Sequence, residues 1–112
     1  MAKFIKGDIV VIPFPFPFSD LSGNKRRPAF VIKDLPDNDI LLCQITSKSN
    51  KDNFSIPLLQ SDFKNGMLPV ESNIRVNKIF TADKKIIVRK AGTVHETYAS
   101  QIIQRIIKLI SN

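Results

Sequence analysis

The chain has 112 residues, of which 43% are hydrophobic and 24% charged, so we predict a single compact domain over residues 1–112. Its net charge of +7 favours an anionic partner, either nucleic acid or an acidic peptide. No apolar run is long enough to cross a bilayer, and the first residues lack the apolar core of a signal peptide, so we predict a cytoplasmic protein that makes no membrane contact.

Short apolar runs separated by Pro, Gly, Asn and Asp predict six strands, at 7–16, 28–34, 39–47, 53–58, 72–80 and 85–90. The turn residues 36–39 predict a hairpin between the second and third of them. An Ile stripe predicts a helix over 94–110, with Thr93 and Glu96 as a capping box and the stripe in the core. Mostly antiparallel strands closed by one helix predict a mainly β (α+β) fold, a small SH3-like barrel with a C-terminal helix.

The alternating Pro and Phe residues at 13–18 allow two interpretations. They could be a polyproline ligand for an aromatic groove, or an edge strand whose Phe side chains lie in the core or in a subunit contact. We favour the edge strand, because alternate residues of such a segment can still pair on one side.

Several kinds of catalytic site are absent from the sequence. The single cysteine, Cys43, has no partners at zinc spacing and alternates with Leu41 and Ile45, which is typical of a core residue. The single histidine, His95, excludes a nuclease that uses two imidazoles, and we expect it to be solvated near the helix start. No nucleophile elbow, phosphate-binding glycine loop or recognisable acidic metal pair occurs, so we predict no metal and no cofactor.

Polar residues at period-two spacing suggest where chemistry could occur. They are Gln44 and Thr46 in the third strand, and Asn73, Arg75 and Asn77 in the fifth. Pro28 forces Arg27 into an extended conformation, and in a tight hairpin its partner falls near Thr46 or Ser47. This predicts a site of Arg27, Thr46 and Arg75, although the pattern alone favours an ordinary solvent-facing sheet surface.

Four segments in order, "GDIVVIPFPFPFSDLSGNKRRPAFVI", "LLCQITS", "SNIRVNKIF" and "KAGTV", precede the terminal helix. Together they resemble the MazF/PemK toxins of bacterial type II toxin–antitoxin systems, especially a PemK-like branch that carries "PFPFSDLSG". The likeness spans nearly the whole chain. It implies the CcdB/MazF-type toxin fold, a small SH3-like barrel with helices that is usually a homodimer.

The resemblance also implies an activity: metal-independent, sequence-selective endoribonuclease cleavage of single-stranded RNA, which leaves a 2′,3′-cyclic phosphate and inhibits growth. It implies a cognate antitoxin whose acidic tail covers the RNA groove. The family's catalytic arginine before proline corresponds to Arg27, and its catalytic threonine at a strand end corresponds to Thr46. We assign RNA binding to Lys25, Arg26, Gln44, Ser47, Lys48, Asn73, Arg75 and Asn77.

Two other functions stay open. A gyrase-poisoning toxin of the CcdB type shares the barrel, but that activity is associated with a C-terminal tail containing Trp, and this chain has none. A non-catalytic RNA- or DNA-binding barrel would rely on exposed aromatic residues for base stacking. Here three of the aromatic residues, Phe14, Phe16 and Phe18, lie away from the polar positions.

Overall fold

The computed structural model describes residues 3–13, 25–48 and 52–111. Within them the chain forms seven antiparallel strands and one α-helix: β1 (Asp8–Pro13), β2 (Arg26–Asp34), β3 (Asp39–Thr46), β4 (Ser55–Leu58), β5 (Phe63–Gly66), β6 (Ser72–Asp83), β7 (Arg89–Val94) and α1 (Glu96–Ser111). The strand order is β4-β6-β3-β2-β1-β7-β5. The sheet curls into an open half-barrel, which confirms the predicted mainly β class with a C-terminal helix. No helix in this part of the chain is long and apolar enough to span a membrane.

The central strands are buried on both faces. Phe30 and Cys43 lie opposite each other in one apolar cluster, which α1 covers with Tyr98 and Ile102. Their neighbours Val31 and Leu42 belong to a second cluster on the other face. Two-sided burial explains why β1, β2 and β3 are nearly continuous apolar runs rather than alternating ones.

The hairpin predicted between the second and third strands is present. β2 pairs with β3 antiparallel, with Ala29 opposite Gln44. Lys84 fastens the turn between them, because its Nζ donates to the carbonyl oxygens of Leu35, at 3.0 Å, and Asp37, at 3.1 Å, and forms an ion pair with Asp34. The hairpin therefore fixes which residues of β2 and β3 are neighbours.

The predicted strands differ from the structure mainly in the C-terminal half, where β6 continues to Asp83, three residues beyond its predicted end. The segment 85–90 was expected to be a strand, but Lys84–Ile86 forms a 3-10 turn and β7 begins only at Arg89. Ile86 and Ile87 pack against the second cluster, and this packing accounts for the apolar run that predicted a strand. β5 was not predicted at all, because it has four residues and buries one of them, Phe63.

The β5–β7 pairing depends on glycine at two facing positions. Gly66 lies opposite Gly92 and has a φ of +82°, a conformation that residues with a Cβ rarely adopt. A Cβ on Gly92 would lie 2.4 Å from the Asn65 carbonyl oxygen and 2.9 Å from the Gly66 Cα. Neither position therefore accepts a side chain without displacing β5.

The helix begins two residues later than predicted, and the predicted capping box is wrong. Thr93 belongs to β7, where its hydroxyl donates to the Asp8 carboxylate at 2.7 Å. His95 is exposed just before α1, as expected, and its carbonyl accepts from the Ala99 amide. The Ile stripe is buried at Ile102 and Ile106, whereas Ile107 and Ile110 are exposed. Of the Pro-Phe repeat, residues 14–18 lie outside the described residues, so the edge-strand interpretation stays a prediction.

Candidate nucleic-acid interface

Strand pairing aligns Arg27, Thr46 and Asn73 in one row across the sheet. Arg27 lies opposite Ile12 of β1, and Thr46 lies opposite Asn73 of β6. The β2–β3 pairing ends with Ala29 opposite Gln44, and the same register extended by two residues aligns Arg27 with Thr46. Directly opposite side chains share a face and approach within contact distance. We call these three residues the polar row.

Thr46 ends β3 and starts a tight turn. Its Oγ1 accepts a hydrogen bond from the Lys48 amide at 3.1 Å, a local bond that threonine favours where a strand ends. That bond uses a lone pair of the oxygen and leaves the hydroxyl proton available for donation. Thr46 is half-buried, so its hydroxyl is held in place by the fold.

Two of the three β6 side chains expected to bind RNA, Asn73 and Arg75, bond to other groups of the protein. Asn73 Nδ2 donates to the Lys48 carbonyl at 3.2 Å. Arg75 Nη1 lies 2.9 Å from both carboxylate oxygens of Asp52 and 2.7 Å from Ser55 Oγ, and the Arg75 side chain is only 12% exposed. The hydrogen bond from Arg75 lowers the pKa of Asp52, so this carboxylate is ionised at neutral pH.

A cavity of about 480 Å³ is lined by Arg27 of the polar row and by Ser47 and Ser72, the chain neighbours of Thr46 and Asn73. Its described lining includes four basic residues (Lys25, Arg26, Arg27 and Arg89), two serines (Ser47 and Ser72) and an apolar wall formed by residues 68–70, with no acidic residue among them. Four cations around one concavity produce a positive potential that attracts phosphate. The arrangement suits an anionic chain with flat apolar groups, which is the chemistry of a polynucleotide.

The structure brings together most of the expected site residues. Lys25, Arg26, Arg27 and Ser47 line the cavity. Gln44 is half-buried two residues before Thr46 in β3, and Lys48 is exposed in the turn that follows Thr46. Asn77 lies apart and exposed, in an irregular part of β6 between the pairing of Ile45 with Ile74 and that of Cys43 with Ile79.

Sequence reasoning missed Arg89 and Ser72. Arg89 reaches the cavity because β1 pairs with β7, which places it opposite Val11. That pairing joins strands that are far apart in sequence, and no local pattern indicates it. Ser72 is 5% exposed and begins β6 next to Asn73. Its position could have been found from the predicted strand, but a lone serine carries no signal of its own.

Cys43 lies beneath the interface rather than in it. Its side chain is fully buried, its Sγ donates to the Arg75 carbonyl at 2.7 Å, and burial raises the pKa of the thiol to about 12. No group of three or more His, Cys, Asp or Glu side chains in the described ranges is placed to hold a metal ion.

Comparison with known families and structures gives consistent matches. Residues 5–110 match the model of the family described as PemK-like, MazF-like toxin of type II toxin–antitoxin system. A mycobacterial endoribonuclease solved in complex with its cognate antitoxin is 14% identical, with a TM-score of 0.73 over 97% of this chain and 96% of that one. A MazE–MazF structure from Deinococcus radiodurans is 16% identical, with a TM-score of 0.73 over 95% and 94%. The toxin MazF-mt6 of Mycobacterium tuberculosis is 12% identical, with a TM-score of 0.70 over 93% and 96%. A search of curated proteins returns no match.

Proposed function

Because the chain belongs to the family of PemK-like, MazF-like toxins of type II toxin–antitoxin systems, we propose that it is a metal-independent, sequence-selective endoribonuclease that cleaves single-stranded RNA. The observation that carries this proposal is that Arg27, at the start of β2, lines a cavity rich in basic residues, while Thr46 ends the neighbouring strand β3 between Ile45 and Ser47, which line the same cavity. A guanidinium and a hydroxyl on neighbouring strands can both donate hydrogen bonds to one phosphate.

The proposed reaction is an internal transesterification. The ribose 2′-oxygen attacks the adjacent phosphorus, the bond from phosphorus to the 5′-oxygen breaks, and the products are a 2′,3′-cyclic phosphate and a 5′-hydroxyl. The 2′-hydroxyl loses its proton to solvent, and the leaving 5′-oxygen takes up a proton from solvent. Arg27 donates two parallel hydrogen bonds to phosphorane oxygens, and the Thr46 hydroxyl donates a third.

The cavity gives the RNA chain its path. Lys25 and Arg26 flank Arg27 at the start of β2, and Arg89 adds a cation from β7, so successive phosphates meet positive charge on both sides of the polar row. Ser47, Lys48 and Gln44 lie on the Thr46 side, where they can contact the nucleotides next to the cleaved bond.

The proposed protein partner is an acidic antitoxin. One similar structure is that of an endoribonuclease with its cognate antitoxin. A segment rich in Asp and Glu would occupy the same cationic cavity as RNA and order on binding, so antitoxin and RNA should compete. We also propose that the protein forms a homodimer, which sedimentation velocity would test.

The test is to incubate the purified protein with a long RNA in excess EDTA and to map the new ends. We expect discrete cleavage sites with 5′-hydroxyl ends and cyclic phosphates at the 3′ side. Activity that vanishes with EDTA and returns with Mg²⁺ would overturn the mechanism. RNA binding without new ends would instead support a non-catalytic barrel.

A further inference from the structure

Side chains of β6 bond to the chain on either side of residues 49–51, at Lys48 and at Asp52. At the first, Asn73 donates to the Lys48 carbonyl while Thr46 accepts from the Lys48 amide. Both backbone polar groups of Lys48 are therefore bound by members of the polar row. The position of the turn and the position of the Thr46 hydroxyl are set by the same two hydrogen bonds.

At the second point, Arg75 holds the far end of the same loop. Its guanidinium bonds both oxygens of Asp52, and it also bonds Ser55, which lies opposite it on β4. Asp52 Oδ1 accepts in addition from the Phe54 amide at 2.9 Å. The carboxylate thus joins the β6 cation to the backbone that leads into β4.

We infer that Asn73 and Arg75 are positioning residues, which act on RNA through the Thr46–Lys48 turn rather than by touching a phosphate. This inference rests on the proposed function and refines it. The Arg75 side chain is 12% exposed, and its Nη1 makes three hydrogen bonds to protein oxygens, so a phosphate could bond to that nitrogen only by displacing Asp52 or Ser55. A hydrogen bond between two charged groups is roughly twice as strong as one between neutral groups, so the contact of Nη1 with Asp52 is suited to holding the chain in place.

The two interpretations of Arg75 predict opposite effects of substituting its partner Asp52. If Arg75 bound a phosphate, Asp52 would be its competitor, and Asp52→Asn would release the cation and tighten RNA binding. If Arg75 fastens the loop, Asp52→Asn removes the anchor and slows cleavage as much as Arg75→Gln does. The double variant would then be no slower than the slower single variant, since both changes break the same contact.

The experiment measures single-turnover cleavage and the salt dependence of RNA binding for Asp52→Asn, Arg75→Gln, their double variant and Asn73→Ala. Lys78→Gln is the matched control, because Lys78 is exposed in the same irregular part of β6 and its loss removes the same charge. We expect cleavage to slow roughly tenfold to a hundredfold in the four loop variants, as for a misplaced catalytic group. We expect Arg75→Gln and Lys78→Gln to have equal salt slopes.

Two results would overturn the inference. One is tighter RNA binding by Asp52→Asn. The other is a salt slope for Arg75→Gln lower by about 0.7 than that of Lys78→Gln, the value for one lost phosphate contact on single-stranded RNA.

A second readout needs no activity and separates this inference from the proposed function. Amide hydrogen exchange at Lys48 and Phe54, measured without RNA, should accelerate in Arg75→Gln and Asn73→Ala but not in Lys78→Gln. Unchanged exchange in those two variants would remove the fastening role even if the protein cleaves RNA. A wild-type protein that cleaves nothing would end the proposed function, and the exchange data would still decide whether β6 holds the turn.

Discussion

The hydroxyl of Thr93 in β7 donates a hydrogen bond of 2.7 Å to the carboxylate of Asp8 in β1, which is completely buried. The same carboxylate accepts from the Ile5 amide at 2.9 Å and lies 3.7 Å from Lys90 Nζ. A buried carboxylate is stable only with such partners. Asp8 therefore joins the N-terminal segment, β1 and β7, the strand that brings Arg89 to the cavity.

The first prediction concerns this link. Thr93→Val keeps the shape of the side chain and removes a donor to a buried charge, so we expect the free energy of unfolding to fall by about 1 to 3 kcal/mol. Urea denaturation followed by circular dichroism measures it. Thr81→Val is the control, because Thr81 is exposed in β6, and it should change stability far less. Equal stability of both variants would show that the Thr93 bond contributes nothing.

The second prediction concerns pH and the Asp34–Lys84 ion pair. The hydrogen bond from Lys84 lowers the pKa of Asp34 in the folded protein. The resulting stabilisation is complete above the pKa of the unfolded chain, about 3.9, and is lost as the pH falls through the lower folded value. The free energy of unfolding, measured between pH 7 and pH 2.5, should therefore fall more for wild type than for Lys84→Met, by about 1 kcal/mol or less. Parallel curves for the two proteins would contradict the coupling.

The third prediction uses Cys43 as a probe of unfolding. Its thiol is buried and has a pKa of about 12, so almost no thiolate exists at pH 8. We expect a thiol reagent to label the native protein slowly and the urea-unfolded protein at the rate of a free cysteine. Fast labelling of the native protein would mean that the β3 core opens readily.

The fourth prediction tests the hydroxyl of the polar row. Thr46→Val preserves strand propensity but removes a donor to the forming phosphorane, so single-turnover cleavage should slow by about a hundredfold. The Lys48 amide that loses its acceptor is exposed and can bond water, so the fold should survive, as circular dichroism would verify. Cleavage at the wild-type rate would remove Thr46 from the site.

The parts of the fold that could be predicted from the sequence are those encoded locally. Pro28 and the turn at 36–39 fix the hairpin, and the hairpin alone places Arg27 near Thr46. The apolar run within 85–90 predicted a strand, whereas Ile86 ends a 3-10 turn and Ile87 follows it, both half-buried against the second cluster. Apolar content alone does not distinguish a strand from such a turn.

The rest of the site depends on contacts between strands distant in sequence. The bond from Thr93 to Asp8 spans 85 residues, so no local pattern indicates it. The position of Thr93 three residues before Glu96 predicted a helix cap instead. Arg89 reaches the cavity only through the β1–β7 pairing. Asp52 carried no signal as the partner of Arg75, because a carboxylate in a loop is usually solvated.

The proposed catalytic role of Arg27 is tested by comparing Arg27→Lys with Arg26→Lys. Both changes conserve charge next to each other at the start of β2. If Arg27 presents a planar fork to two phosphorane oxygens, a lysine cannot make both contacts, and single-turnover cleavage should slow roughly tenfold to a thousandfold. RNA affinity should change little, because the number of positive charges is unchanged. Arg26→Lys should cleave at nearly the wild-type rate, and equal, near-wild-type rates for both variants would contradict the assignment of Arg27.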